Sequence, residues 1–143
     1  MPQTLQLEHA TTTAPRRLFR ALVDPEELAA WFGPDTSTVP VESVTIDPRV
    51  GGQWSLTLVD KQDPSQTSPA NATITAYEEG RLLEAEETTE GETYRLRLEV
   101  RPETAGSTLV VSQGPLPDNE IEAARAGWQA SFGKLDQLVT PTN

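Results

Sequence analysis

The chain of 143 residues contains no cysteine, which excludes disulfide staples, thiolate metal sites and cysteine nucleophiles together. It has one histidine, His9, so neither a paired-imidazole metal site nor a Ser–His–Asp triad with a second base can be built. Basic residues are scarce. Eleven Lys and Arg against 22 Asp and Glu give a formal net charge of −11, which repels phosphate backbones and anionic lipid headgroups, and neither nucleic acid nor membrane is expected as a partner. The acidity itself is read as solubility rather than as a cue to a cationic ligand. No stretch approaches the roughly 18 apolar residues of a membrane span, and MPQTLQLEHATTTAP lacks a basic segment followed by an apolar one, so the cytoplasm is the expected location. Without a leader, the sequon Asn71-Ala72-Thr73 is read as accidental.

Other motifs are missing as well. There is no GxSxG elbow and no GxGxxG fingerprint. Gly51-Gly52 is followed by a strand pattern instead of Lys-Ser/Thr and a helix, and reads as a tight turn or bulge. Asp60-Lys61-Gln62-Asp63-Pro64 has neither the glycine nor the ligand count of a calcium loop. No metal and no cofactor is expected.

What is present patterns as one domain over residues 1–143, with a hydrophobic fraction of 36% to fill its core. Leu5 and Leu7 alternate with Gln6 and Glu8, predicting a first strand to about Thr12. Thr13 or Ala14 can then cap a helix beginning at Pro15, with Leu18, Phe19, Leu22 and Val23 at helical spacing. Asp24-Pro25-Glu26-Glu27 starts a second helix with Leu28, Trp31 and Phe32 on its apolar face, and Gly33-Pro34 ends it. From Val41 to Gln113 the apolar period is near two, with turn signals at Pro48–Gly52, Asp60–Asn71, Glu79-Gly80, Glu90-Gly91 and Pro102–Gly106. Such short spacings allow hairpins and not helical crossovers, and they leave 60–71 as the longest polar loop. After Gly114-Pro115-Leu116-Pro117, Asp118 can cap a long helix whose apolar residues fall at Ile121, Ala124, Trp128, Phe132, Leu135 and Leu138 or Val139. That stripe must lie on the sheet's apolar face, giving an α+β two-layer domain.

Several local words sit in this order: Ala14-Pro15; Asp24-Pro25-Glu26 with Leu28 and Trp31-Phe32-Gly33-Pro34; Ile46-Asp47-Pro48-Arg49 running into Gly51-Gly52 and Trp54; and Gly127-Trp128 with Leu135. With them the chain, from about Leu5 to Val139, resembles the bacterial relatives of the Hsp90 ATPase activator's C-terminal domain, in the START-like or polyketide cyclase-like superfamily. The resemblance implies a helix-grip fold: a curved antiparallel sheet around a long C-terminal helix, with two short helices after the first strand. It also implies a space between sheet and helix that serves different members for lipid or hydrophobic metabolite binding, cyclisation chemistry or chaperone interaction. Fold alone does not choose among these.

The leading expectation is a non-enzymatic binding protein for a small hydrophobic or amphipathic molecule, with Trp31, Phe32, Trp54, Leu56, Tyr94, Leu96, Trp128 and Phe132 as wall residues. Three tryptophans could equally plug the space. One alternative is chaperone contact through exposed strand edges or the 60–71 loop, against which counts the activator's separate N-terminal domain, lacking in this chain. Another is a small cyclase or hydrolase using His9, on the Leu5–Leu7 face, with Tyr94 or Glu84 as acid and base. In Arg81-Leu82-Leu83-Glu84-Ala85-Glu86-Glu87, an inward Leu82 would carry Glu84 and Glu86 to the cavity wall and raise their pKa by burial. Inward Leu83 and Ala85 would leave them to pair with Arg95 or Arg97, and this is favoured because an unpaired buried carboxylate is costly. Arg16, Arg17 and Arg20 read as a solvated helix face.

Overall fold

In the computed structural model, which describes residues 3–89 and 91–139, the first strand β1 (Gln3–Thr11) is followed by helices α1 (Pro15–Val23) and α2 (Pro25–Trp31). Both helices open on proline. Asp24 caps α2, its Oδ1 accepting from the amides of Glu26 at 2.9 Å and Glu27 at 3.2 Å, with the two glutamates in the positive first turn. Ala14 caps α1 without a side-chain bond; the neighbouring Thr13 hydroxyl instead donates to the Val139 carbonyl, tying the start of α1 to the end of the last helix.

The chain then pairs two short segments, β2 (Ser37–Thr38) and β3 (Thr45–Ile46), on β4 (Gln53–Asp60), and continues through β5 (Thr67–Glu78), β6 (Leu82–Thr89), β7 (Glu92–Glu103) and β8 (Gly106–Leu116). All pairings are antiparallel, in the order β1-β8-β7-β6-β5-β4-β2, so β1 closes back on the last strand. Helix α3 (Ile121–Val139) packs on β1 and on both short helices. This is the helix-grip fold, a curled antiparallel sheet holding a C-terminal helix. The register aligns inward side chains in rows across it, Leu7–Val111–Leu98–Leu83–Tyr77 and Leu5–Gln113–Leu96–Ala85–Ile74. Leu83 and Ala85 are buried, while Glu84 lies 3.1 Å from Arg95 and 3.6 Å from Arg97, and Glu86 2.9 Å from Arg95. The glutamates therefore lie on the outer face, paired across strands.

Three local readings change. The polar loop is shorter than 60–71, because Thr67–Asn71 pairs with Ser55–Val59. Pro69 is tolerated there for a geometric reason. The Asn71 amide points away from β4 to the Glu87 carboxylate at 3.0 Å, so two residues earlier the missing N–H of Pro69 also falls on the side away from the β4 ladder. Between the strands, Asp60 and Asp63 cap the loop's own amides, and hydrogen bonds from Ser65 hold the Asp63 carboxyl below its ordinary value. Val41–Ser43 is a 3-10 turn and not a strand, closed by the Ser43 hydroxyl donating to the Pro40 carbonyl. Asp118 opens a 3-10 turn before α3, and its carboxylate accepts from Gln3 Nε2 instead of capping. Arg16, Arg17 and Arg20 lie on a solvated face of α1 as expected, with Arg17 and Arg20 both reaching Glu27 there. The hairpins at Glu79-Gly80 and Pro102–Gly106 fall where expected; Glu90 of the Glu90-Gly91 turn lies outside the described residues.

Helix α3 carries an inefficiency that mutation can expose. Gly133 is an exposed interior residue with open space where a Cβ would project. Gly133→Ala is expected to raise stability by about 0.5–1 kcal/mol, read as a higher urea midpoint with unchanged slope.

Candidate functional site

Two recesses lie on the inner face of the sheet, one of them against α3, and they share Phe32, Leu58 and Gln113. The inner-sheet recess, about 190 Å³, is lined by Phe32, Trp54, Leu56, Tyr94 and Leu96 together with Leu58, Ala70, Ala72, Ala85 and Gln113, with Glu87 and Arg95 at its polar end. The helix-side recess, about 210 Å³, runs from Phe32, Gly33 and Pro34 to Ala123, Ala124, Gly127, Trp128 and Ser131 of α3. It exists because the first half of α3 presents small residues toward the loop after α2. An apolar cavity of about 150 Å³ is enough to take a benzene ring, so each recess has room for about one ring.

Phe32 stands where the recesses meet. It is the first residue past α2, with extended backbone (φ −75°, ψ 138°), and this turns its ring away from the helix axis. Half-buried, it packs edge-on against Trp54 and against Trp128, both at 5.5 Å between centroids. The turn behind it is pinned to α3. The Gly33 carbonyl receives the Ser131 hydroxyl at 2.8 Å and Lys134 Nζ at 2.7 Å, and burial pushes the Lys134 ammonium pKa down. Gly33 itself has φ +102°, and a Cβ there would come within 2.8 Å of Leu58, so the latch needs glycine.

The polar atoms of the walls differ in how they are satisfied. Trp128 Nε1–H donates to Gln113 Oε1 at 2.8 Å. Trp54 is only 3% exposed, and its Nε1–H meets no acceptor among the described residues. A buried donor left so costs about 1–3 kcal/mol. Tyr94 donates to Glu92 at 3.0 Å. Two larger grooves lie elsewhere. One, about 340 Å³, is lined by Glu84, Arg95 and Arg97, whose charges pair with one another; the other, about 490 Å³, lies between α1 and Tyr77.

Not every residue expected at the wall reaches it. Trp31 is fully buried, its indole N–H donating to the Ala21 carbonyl at 2.8 Å, and it belongs to the core behind Phe32. Phe132 lines neither recess. Its ring stacks on His9 with centroids 4.6 Å apart and planes at 8°, while His9 Nε2 lies 2.8 Å from Asp136 Oδ1. His9 is thus bound to the outer half of α3, and Glu84 sits on the opposite face of the sheet, so His9, Tyr94 and Glu84 do not converge as an acid–base set. Gln113 was not anticipated, although it stands at an inward position of the Leu109, Val111, Gln113 alternation; a lone polar residue in such a series was the available signal.

Residues 12–140 match the family profile described as Activator of Hsp90 ATPase homolog 1-like protein. Among solved structures, a Chromobacterium violaceum protein is 25% identical and superposes with TM-score 0.88 over 99% of this chain and 100% of its own. The AHSA1 protein of Silicibacter pomeroyi is 24% identical, with TM-score 0.77 over 95% and 96%. An AHSA1-like protein of Aeromonas hydrophila, 17% identical, gives 0.79 over 96% and 92% and shows the shared fold. No curated protein matches the sequence. With its profile match spanning most of its length and its fold shared end to end, the chain belongs to the Activator of Hsp90 ATPase homolog 1-like family.

Proposed function

We propose that the protein binds a small hydrophobic or amphipathic molecule in the paired recesses on the inner face of the sheet, one of which α3 helps to wall. The observation that carries this reading is the arrangement at Phe32. One half-buried ring adjoins two ring-sized apolar spaces, whose walls are aliphatic and aromatic with only a few polar groups. Family membership and fold support a binding-type role, and the failure of His9, Tyr94 and Glu84 to converge removes the acid–base set that the sequence suggested.

Native mass spectrometry after incubation with cell extract tests this. A retained small molecule is the expected result, and a protein that always emerges bare counts against the reading. Ala124→Trp, which fills the helix-side recess from a partly exposed helix position, is expected to weaken retention at least tenfold while leaving the urea midpoint nearly unchanged. Equal retention by the variant would mean that this recess is not used.

A further inference from the structure

The recess beside Trp54 holds donors with no protein acceptor among the described residues. Trp128 can only donate, so Gln113 must turn Oε1 toward it, and the two N–H donors of the Gln113 amide face elsewhere. No group among the described residues takes them. Trp54 Nε1–H is the second such donor, buried and without an acceptor. The polar groups at the rim are engaged: Glu87 accepts from the Asn71 amide, Tyr94 donates to Glu92, and Arg95 pairs with Glu84 and Glu86. A ligand that displaces water from these donors keeps them satisfied only by bringing an acceptor of its own. The net charge of −11 and Glu87 at the rim weigh against a carboxylate or phosphate. The remaining walls, Phe32, Leu56, Leu58 and Leu96 among them, suit a flat apolar body.

We propose that the ligand is a neutral, largely apolar ring compound bearing a carbonyl oxygen, and that Trp54 Nε1–H receives this oxygen when the Phe32 ring swings aside, with the Gln113 amide as second donor. This rests on the ligand-binding reading above and adds the chemical class. Phe32 is assigned the movement because it is half-buried, packs on the Trp54 ring and borders both recesses, so that its displacement would open the space beside that indole and join the two recesses.

The test uses two probes of one shape, 1-tetralone, which has a ketone, and tetralin, which lacks it. In wild-type protein, tetralone is expected to move the Trp54 indole N–H resonance downfield, whereas tetralin leaves it in place. The ratio of their affinities should fall about tenfold in Trp54→Phe, the worth of one hydrogen bond to a buried donor. If the variant fails to fold, the wild-type resonances decide. If both probes bind, Trp54 responds equally to each and the ratio survives the substitution, the carbonyl assignment is wrong and the binding reading stands. If neither probe binds up to its solubility, the ring-carbonyl class is overturned, and a protein that also emerges bare from cell extract overturns the binding reading with it.

Discussion

Gly52→Ala is expected to lower the unfolding free energy by roughly 3–4 kcal/mol, a large loss for an unbranched one-carbon addition. A Cβ at Gly52 would lie 2.0 Å from the Asp47 carbonyl oxygen and 3.0 Å from that of Arg49, both backbone atoms. Relief by movement is blocked on every side. The Gly52 amide donates to Arg49, its carbonyl accepts from Ile74, the Gly51 amide donates back to Ile74, and the Asp47 amide donates to Gln53. Gly51→Ala is the informative control, since that residue has φ +87° but open space around its Cβ position and should cost only about 1–2 kcal/mol of backbone strain. Urea unfolding of both variants measures the difference. Equal losses would mean that the 47–52 turn yields and that close approach is not what glycine serves here. The turn also sets the start of β4, so Gly52→Ala should disturb the Trp54 indole two residues on and weaken retention of any recess ligand along with stability.

The fold was legible because its signals are periodic and agree with one another. Leu5 and Leu7, Leu96 and Leu98, and Leu109 and Val111 alternate, and Trp128, Phe132 and Leu135 recur at helical spacing; each set is buried or half-buried on the predicted side. The outward direction of Glu84 and Glu86 followed from the cost of an unpaired buried carboxylate, and the arginine pairs agree. Loop limits were less legible. A run rich in Pro, Ser and Asn looks like a loop, but a strand with one free side can hold such residues once its other side is paired, as Thr67–Asn71 does with β4.

The candidate recess was legible in part, and the residues that fall away from it do so for one reason. Periodicity assigns a residue to a face, but a face is shared between packed core and cavity wall. Trp54, Leu56, Tyr94 and Leu96 fall on the recess, whereas Phe132, on the same helical stripe as Trp128, is taken up by His9. Trp31 and Phe32 were grouped because they are adjacent in an apolar run. The backbone leaves the helix between them, sending one indole back toward α1 and the next ring into the recess. Ala124 reads as one more member of the apolar stripe and Gly127 gives no hydrophobic signal, so neither marks the helix-side space that their small size creates.

Trp31→Ala carries the other large expected effect, a loss of about 3–5 kcal/mol. The reason begins in the sequence. An α1 carbonyl at Ala21 would ordinarily accept from residue 25, but that residue is Pro25 and has no N–H. Trp31 Nε1–H supplies the missing donor at 2.8 Å from a fully buried position, so one side chain fills the core and completes the end of α1. Trp31→Phe keeps most of the volume and loses only the donor, and should cost about 1–2 kcal/mol. Trp31 also packs against Phe32 at 5.7 Å and Trp128 at 6.4 Å, so the cavity left by alanine opens directly behind the ring that borders both recesses. Phe32 would then relax backward into it. Ligand retention at a urea-free temperature well below unfolding should therefore fall in Trp31→Ala and persist in Trp31→Phe. Equal retention by the two variants would mean that Phe32 is held by its other neighbours, Trp54 and Trp128, and that the core behind it does not shape the site.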